Sequence, residues 1–446
     1  MLNAMKKTIT LLMLAFVLFY TSCEERDHLP RAKKYSAEVA IAWINLQQKL
    51  IKKTPGFSPG VSGRSFAYSG LALYESIVPG MPGYRSVLGH IGFPTVAVPA
   101  NSKFFYWPSC ANSAMAYIIK NLFASTSPAN MATIDSLEAA FNSQFEAEVK
   151  EVQVLEGSAD FGRLVAENIF EWSKTDGGHE GYKPQPNTYT PPPGPGLWIP
   201  TPPAFANAAA PNQGKYRTFT PGLTVQTQPP SYPIPSYSPD PGTDFYNMVN
   251  EVYTISQSLT SEDILTVKTW GDIPGNYNGS GHFTNIATQL IILKQLKLDE
   301  AALVYAKHGI ALNDAGISCF KTKYQYNLIR PISYIRNEMG HSTWNTIIPT
   351  PPHPEFSSAH AVVGRASSVV LESIFGKKCS FTDKTHETLY GSRTYNTLEE
   401  YAKEGAWSRV LAGIHYNPSA IAGLEQGKKV GDLVNKLPFK SGHNQD

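Results

Sequence analysis

The stretch Lys323-Tyr-Gln-Tyr-Asn-Leu-Ile-Arg330-Pro331 places two cationic side chains seven residues apart, directly before a proline. On one continuous helix this spacing puts both cations on the same face, two turns or about 10 Å apart. The proline disfavours helical geometry at Arg330 and is a good first residue for a new helix. An ammonium and a planar guanidinium so placed can approach one tetrahedral oxyanion from two sides. Taken alone, two basic residues on a solvated helix face are the simpler interpretation.

A second stretch, His353-Pro-Glu-Phe-Ser-Ser358-Ala359-His360, precedes an apolar segment of helical character over 361–374. Ser358 and Ala359 then lie at a helix N-terminus, where unpaired N–H groups and the helix dipole favour an anion. His360 would lie within reach of that anion. The alternative is a serine N-cap beside an incidental histidine.

The third stretch is Ser408-Arg409-Val-Leu-Ala-Gly-Ile-His415. Six residues along an ideal helix leave two side chains about 120° apart, so Arg409 and His415 do not stack. They converge only if the helix is interrupted, and Gly413 and Pro418 favour an interruption. Taken alone, a helical arginine and a core histidine are the simpler interpretation.

Together, the three stretches resemble the signature shared by vanadium-dependent haloperoxidases and type 2 phosphatidic acid phosphatases. Here 25 residues separate Pro331 from Ser357, and 47 separate His360 from Ser408, within the range of that superfamily. Segments 202–205, 270–275, 312–320 and 351–356 resemble its bacterial haloperoxidase branch. The resemblance covers residues 64–436 and implies an all-α fold, a helical bundle of the haloperoxidase/acid phosphatase type.

The resemblance also implies roles for individual residues. His415 would bond the vanadium of a vanadate cofactor through a ring nitrogen, and His360 would be the acid–base group that helps activate hydrogen peroxide. The vanadate oxygens would be held by Lys323, Arg330, Arg409, Ser358 and the amide of Ala359. The reaction implied is oxidation of a halide. Phe320 and His353 stand where the family places residues near the halide, and a histidine at 353 favours bromide or iodide.

Two alternatives remain open at this point. In an exported phosphatase acting on a phosphate ester, His415 would attack phosphorus and His360 would protonate the leaving oxygen. The third possibility is a degenerate lipoprotein that only binds oxyanions.

Two departures from the family pattern bear on these alternatives. Ala359 replaces the usual glycine. An alanine keeps the N–H donor but loses the left-handed backbone conformation, so the site survives only if φ is negative there. Ser419 replaces the aspartate that usually orients the last histidine, and a hydroxyl cannot stabilise an imidazolium as a carboxylate does. The sequence therefore predicts that Ser419→Asp strengthens any phosphatase activity.

Hydrophobic periodicity predicts helices over 39–50, 64–78, 109–123, 131–155 and 159–174. Residues 184–241 hold 17 of the 34 prolines, which excludes a long helix or a central strand. The aromatic residues interspersed there favour an ordered wrap over the helical body. The predicted organisation is a signal peptide (1–22), an N-terminal helical region (23–183), a Pro-rich irregular segment (184–241), an oxyanion-binding helical core (242–437) and a tail (438–446).

The start of the 446-residue chain predicts export. Lys6 and Lys7 precede an apolar run over 9–19 that is too short for a membrane span, and small residues precede Cys23. Cys23 stands where a bacterial lipoprotein carries its lipid, and the acidic residues after it resemble a surface-export signal. The prediction is a lipoprotein of the outer membrane or cell surface. A plain secretory signal, and hence a periplasmic protein, is the alternative.

The net charge and the cysteine content restrict the classes of ligand and partner that the protein can bind. Removing residues 1–22 removes two of the 38 basic residues and none of the 36 acidic ones, so the mature chain has 36 of each. A net charge of zero offers no broad field for nucleic acid, and any anion site must be a local cluster of cations. The three cysteines after Cys23 match no zinc-site spacing. The sequence does not define the oligomeric state.

Overall fold

The computed structural model describes residues 31–99, 102–184, 189–229, 232–271 and 276–441. The predicted signal peptide and Cys23 lie outside these ranges. The regular structure of the described residues is fifteen α-helices, short 3₁₀ turns and one two-stranded sheet. The all-α prediction is therefore confirmed. None of the helices in the described part of the chain combines the length and apolar character that crossing a membrane requires.

The N-terminal helices match the predicted periodicity with one exception. They are α1 (Glu38–Lys53), α2 (Pro59–Ile77), α3 (Trp107–Leu122), α4 (Pro128–Glu148) and α5 (Val152–Ser173). The single helix predicted over 131–155 is wrong, because the chain is extended at Val149 (φ −119°, ψ 119°). The Val149 side chain is buried there, so packing against the core ends α4 where no glycine or proline marks a boundary.

The Pro-rich segment is anchored along its length. Its regular elements, within the described residues, are a 3₁₀ turn (Gln213–Lys215) and the one-turn helix α6 (Leu223–Gln226). The Trp198 amide donates to the carbonyl of Asn327 (2.6 Å). The amides of Phe219 and Thr220 donate to the buried carboxylate of Asp314 (2.9 and 2.8 Å). The segment therefore wraps the helical body, as its aromatic residues indicated, while the domain boundaries stay a prediction.

The C-terminal half contains the helices that carry the three motif stretches. They are α7 (Asp244–Ser256), α8 (Ser261–Thr269), α9 (Gly279–Leu293), α10 (Leu298–Tyr326), α11 (Pro331–Asn337), α12 (Ala359–Phe375), α13 (Glu387–Tyr390), α14 (Leu398–Leu411) and α15 (Asn417–Asn435). Between α12 and α14 lies an antiparallel hairpin, β1 (Phe381–Asp383) with β2 (Arg393–Tyr395), in which Phe381 pairs with Tyr395. Both of these aromatic rings are buried.

Two glycines let the N-terminal half approach the motif-bearing half closely. A Cβ on Gly70 of α2 would lie 2.5 Å from the carbonyl oxygen of Tyr305 in α10, and one on Gly309 would lie 2.5 Å from that of Phe66. Any side chain at either position would push the two backbones apart. This contact joins the N-terminal helices to α10, and α12 packs in turn against α10, α14 and α15. The three motif stretches therefore meet at one place.

Candidate functional site

The first motif stretch does not form one helix. Helix α10 ends at Tyr326, and Asn327 adopts a left-handed conformation (φ 50°). Arg330 is the N-cap of α11, and Pro331 is its first residue, as predicted. Lys323 and Arg330 therefore do not share a helix face, and that expectation was wrong. The left-handed residue turns the chain so that both side chains enter the protein interior, where neither is exposed to solvent.

The third stretch is interrupted where the sequence indicated. Helix α14 ends at Leu411, Gly413 has φ 78°, and α15 begins at Asn417 with Pro418 in its first turn. His415 lies in the connection between the two helices. Its amide donates to the carbonyl of Arg409 (3.3 Å). The interruption brings Arg409 and His415 to the same cavity.

The second stretch forms a helix N-terminus. Ser358 is the N-cap of α12 and Ala359 is its first residue. Ala359 is not among the residues with positive φ, so alanine fits the position that glycine usually fills. The first N–H groups of α12 have no acceptor within the helix. In the described part of the chain, no hydrogen-bond partner is found for the buried hydroxyl of Ser358. These groups are suited to an oxyanion.

A cavity of about 360 Å³ lies in front of this helix N-terminus. Ala359, His360, Arg409, His415 and His353 form its motif-bearing side. The remaining wall comes from other parts of the chain, including Ser58, Pro59, Gly60, Ala209, Gln213, Ser280, Phe283 and Phe320. Lys323, Arg330 and Ser358 are fully buried behind the wall. The structure thus brings all the predicted site residues together, in two layers.

Lys323 belongs to the layer behind the cavity. Its ammonium donates to the carbonyls of Pro354 (3.0 Å), Glu355 (2.9 Å) and Ser357 (2.6 Å). An ammonium has three donors, so these contacts use all of them. Burial lowers the pKa of Lys323 to about 8. Lys323 therefore shapes the loop before α12, and its direct contact with an oxyanion stays a prediction.

Arg330 spans the space between two loops. Its Nε donates to the carbonyl of His353 (2.9 Å), and its Nη1 donates to the carbonyl of Ile414 (2.7 Å). The guanidinium also contacts Nδ1 of His353 (2.9 Å) and Nε2 of His415 (3.3 Å). Burial and the charges of Lys323 and Arg330 hold the pKa of His353 well below its usual value. A planar five-donor group is needed to make this set of contacts.

The ring of His415 contacts Glu355, a residue to which the sequence assigned no role. Its Nδ1 lies 2.7 Å from Oε1 of Glu355, a carboxylate with no solvent exposure. Burial, followed by the charges of Arg330 and Lys323, holds the pKa of His415 well below its usual value. A lowered pKa favours the neutral ring, which has one N–H donor and one acceptor nitrogen.

Ser419 has a different role from the one expected. Its hydroxyl donates to Oε2 of Glu355 (2.6 Å) and is not the partner of the His415 ring. The carboxylate missing at position 419 is therefore supplied by Glu355. One feature of the sequence could have identified this residue. Glu355 is the one acidic residue in the stretch 350–358, which otherwise consists of prolines, serines, a threonine, a phenylalanine and His353.

The site has an excess of positive charge. Three cationic side chains, those of Lys323, Arg330 and Arg409, face the single carboxyl group of Glu355, whose pKa is raised by burial. Arg409 is held by a hydrogen bond from its Nη1 to the carbonyl of Trp270 (2.9 Å). Such an excess in a buried site is costly without a bound anion. The arrangement can bind a tetrahedral oxyanion and present Nε2 of His415 to its central atom.

Fold and pocket together define a helical-bundle protein with a buried, cation-rich oxyanion site. The family model for the VCPO second helical-bundle domain matches residues 303–438. A solved structure described as the first bacterial vanadium-dependent iodoperoxidase is 29% identical, with a TM-score of 0.82, over 92% of this chain and 98% of that one. The family model and this structural match support the vanadium haloperoxidase superfamily.

More distant structures share the fold. A holo bacterial vanadium-dependent chloroperoxidase is 17% identical, with a TM-score of 0.64, over 85% of this chain and 92% of that chain. The apo form of a bacterial vanadium-dependent chloroperoxidase is 17% identical, with a TM-score of 0.65, over 86% and 96% of the respective chains. No curated protein sequence matches the chain.

The residues present fit a vanadate ion. The buried hydroxyl of Ser358 and the first amides of α12 are donors at the helix N-terminus beside the cavity, and the cations of the cluster outnumber its one carboxyl group. Nε2 of His415 lies at the end of the ring opposite Glu355. These are the oxygen donors, the charge and the nitrogen ligand that a vanadate requires.

Proposed function

We propose that the protein is a vanadate-dependent haloperoxidase-like enzyme that uses hydrogen peroxide to oxidise a halide, bromide or iodide before chloride. The observation that carries this proposal is the ring of His415, whose Nδ1 lies 2.7 Å from Oε1 of Glu355 and whose Nε2 faces the guanidinium of Arg330. The match to an iodoperoxidase structure supports the choice of halide. His353 at the cavity wall supports it as well.

The chain's residues would divide the work as follows. Nε2 of His415 would bond the vanadium, while Arg330, Arg409, Ser358 and the amide of Ala359 hold the oxygens. When bound, vanadate supplies the Lewis-acid activation that makes an oxygen of hydrogen peroxide electrophilic toward a halide. His360 lines the same cavity and would move a proton to or from the incoming peroxide. Arg409 and Arg330 would stabilise negative charge on the oxygens without moving, because protein groups already hold both guanidinium groups in place.

A halide oxidation assay tests this proposal. Purified protein is supplied with hydrogen peroxide and with bromide or iodide, with and without orthovanadate, and bromination of a phenol indicator or formation of triiodide is followed. We expect activity that depends on both vanadate and halide. His415→Ala should lose that activity and keep a weak stabilisation by orthovanadate, because the cations remain. His90→Ala is the matched control, since His90 is exposed on the surface.

Phosphate ester hydrolysis is a second candidate, and the Glu355 contact favours it. A phosphorylated His415 would be cationic, and the adjacent carboxylate of Glu355 would stabilise it. The discriminating measurement is hydrolysis of a small aryl phosphate in the absence of vanadate. Rapid hydrolysis, with no bromide or iodide oxidation when vanadate is bound, would replace the haloperoxidase proposal. A protein that binds vanadate but turns over neither substrate would be the degenerate oxyanion-binding lipoprotein.

We also propose that the protein is exported and anchored through a lipid on Cys23. The support is the sequence Tyr-Thr-Ser-Cys23 after a basic start and an apolar run, followed by acidic residues. Metabolic labelling with a fatty-acid analogue tests this. Cys23→Ala should abolish the label and move the protein from the membrane fraction to the soluble exported fraction. An unlabelled wild type in the periplasm would leave only the secretory signal.

A further inference from the structure

The backbone of Glu355 is fixed on both sides. Its amide donates to the carbonyl of Leu328 (3.0 Å), and its own carbonyl accepts from the ammonium of Lys323 (2.9 Å). Leu328 lies between α10 and α11, so Glu355 is held against the end of the first motif stretch. The direction in which its side chain leaves the backbone is therefore set by contacts that do not involve His415.

Within the described residues, the carboxylate of Glu355 accepts its hydrogen bonds from one segment. Oε1 accepts from Nδ1 of His415 (2.7 Å) and from the amide of Tyr416 (3.0 Å). Oε2 accepts from the hydroxyl of Ser419 (2.6 Å). Charge-assisted hydrogen bonds of this kind are stronger than neutral ones. Three donors from residues 415–419 thus hold the carboxylate in one orientation against the ring.

Both neighbours of the His415 ring select the same tautomer. A neutral imidazole has one N–H donor and one acceptor nitrogen. With the proton on Nδ1, the ring donates to Glu355 and accepts from Nη1 of Arg330 at Nε2 (3.3 Å). With the proton on Nε2, a lone pair would face the carboxylate and an N–H would face the guanidinium. That second arrangement would place two acceptors against each other at Nδ1 and two donors against each other at Nε2.

We propose that Glu355 is the positioning residue of His415, fixing its tautomer and ring direction so that Nε2 meets the oxyanion. Glu355 does so from 60 positions upstream, in place of a carboxylate four residues after the histidine. Ser419, which occupies that later position, holds Glu355 instead. This inference deepens the proposed function and rests on it only for the identity of the bound anion.

The first test is made on the wild type. Nitrogen-15 NMR of histidine-labelled protein at pH 7.5 reports the tautomer of each ring, and His415→Gln assigns the resonance. We expect His415 to be neutral, with the proton on Nδ1, before any anion is added. Orthovanadate should then perturb its Nε2 resonance. If the wild-type ring is protonated at Nε2, or at both nitrogens, the proposal is overturned, and no substitution of Glu355 is needed to show it.

The second test removes the charge and keeps the shape. Glu355→Gln can turn either an acceptor or a donor toward Nδ1, so the tautomer is no longer imposed. Loss of such a partner typically weakens metal affinity by about 10–100-fold, and we expect a loss of that size in orthovanadate affinity, with mixed tautomers of His415. Glu146→Gln, on the exposed face of α4, is the matched control. Unchanged affinity and an unchanged tautomer in Glu355→Gln would contradict the proposal.

A third test moves the carboxylate to another position in the chain, which distinguishes a positioning role from a role in folding. In the double variant Glu355→Gln/Ser419→Asp, the carboxylate returns on the segment that carries the ring. We expect this variant to restore the Nδ1 tautomer and most of the orthovanadate affinity. If Glu355→Gln binds weakly and the double variant does not recover, the carboxylate is not what positions the ring. If Glu355→Gln fails to fold, the wild-type spectrum and the double variant still decide.

Failure of this inference can be told apart from failure of the proposed function. Suppose the wild type has the expected tautomer and Glu355→Gln weakens orthovanadate binding, but neither bromide nor iodide is oxidised. Only the haloperoxidase proposal is then lost. If the wild type oxidises iodide while Glu355→Gln keeps its tautomer and affinity, only the positioning role is lost.

Discussion

Nε2 of His415 lies 3.3 Å from Nη1 of Arg330, at the end of the ring opposite Glu355. The atom that would bond the oxyanion therefore accepts a hydrogen bond from a guanidinium that would also hold the anion's oxygens. Because Nε2 has one lone pair, an anion whose central atom bonds it must displace this hydrogen bond from Arg330. The position of the Arg330 guanidinium therefore depends both on the geometry of the two loops and on the bound anion.

Arg330→Lys should be strongly destabilising although it keeps the charge. A lysine ammonium cannot bridge the carbonyls of His353 and Ile414 as the planar group does. A buried acceptor left unpaired costs about 1–3 kcal/mol, so we expect the free energy of unfolding in urea to fall by about 2–4 kcal/mol. The control Arg163→Lys, at a half-exposed surface position, should stay within about 0.5 kcal/mol. Equal stability of the two variants would mean that the bridging contacts contribute little.

Arg409→Ala should remove most of the stabilisation that an anion gives. Arg409 lines the cavity, and its Nη1 donates to the carbonyl of Trp270. A hydrogen bond between charged groups contributes about 1.5–3 kcal/mol, which corresponds to about 10–150-fold in affinity. The rise in melting temperature with orthovanadate or phosphate measures it. Arg163→Ala should show the full rise, and a full rise in Arg409→Ala would place the anion elsewhere.

Ser419→Asp alone should harm the protein, contrary to the expectation from the sequence. The Ser419 hydroxyl lies 2.6 Å from Oε2 of Glu355, so an aspartate there would set two carboxylates against each other. An uncompensated buried charge costs about 3–5 kcal/mol, and we expect a loss of about 3 kcal/mol at pH 8. Ser419→Asn, of equal size without the charge, is the control. The two variants should become similar at low pH, where the aspartate takes up a proton, and phosphatase activity should not increase.

The stability of the N-terminal half should depend on pH through Glu75. This carboxyl is buried in α2 and accepts a hydrogen bond from the amide of Val87 (2.9 Å), and burial raises its pKa to about 7. A raised pKa means that the folded state favours the protonated form, so the contribution of Glu75 to stability is lost as pH rises from about 4.5 through 7.

Glu75→Gln removes this titration and keeps an acceptor for the amide. We therefore expect wild type and variant to have similar free energies of unfolding at pH 4.5. At pH 8 the variant should be the more stable by about 2–3 kcal/mol. Urea unfolding at the two pH values measures the difference, with Glu146→Gln as the exposed control. A gap that does not change with pH would show that Glu75 is ionised in the folded protein at no cost.

The amino-acid sequence determined the helical class, the three motif stretches and the breaks at special residues. Gly413 adopts the positive φ that glycine allows, and Pro331 and Pro418 lie in first turns of helices, as local chemistry requires. Apolar periodicity located α1 to α3 because it records which face of a helix is buried. These features depend on residues within a few positions of one another, so the sequence alone can predict them.

The tertiary structure decided which side chains become partners. Asn327 ends α10 without a glycine, Val149 ends α4 through core packing, and the ring of His415 takes its carboxylate from Glu355 rather than from position 419. The ammonium of Lys323 likewise donates to carbonyls of the loop before α12, which the sequence did not predict. A hydrogen-bond partner is chosen by distance and direction in space. Distance between residues 60 positions apart is set by the packing of whole helices, which no local pattern records.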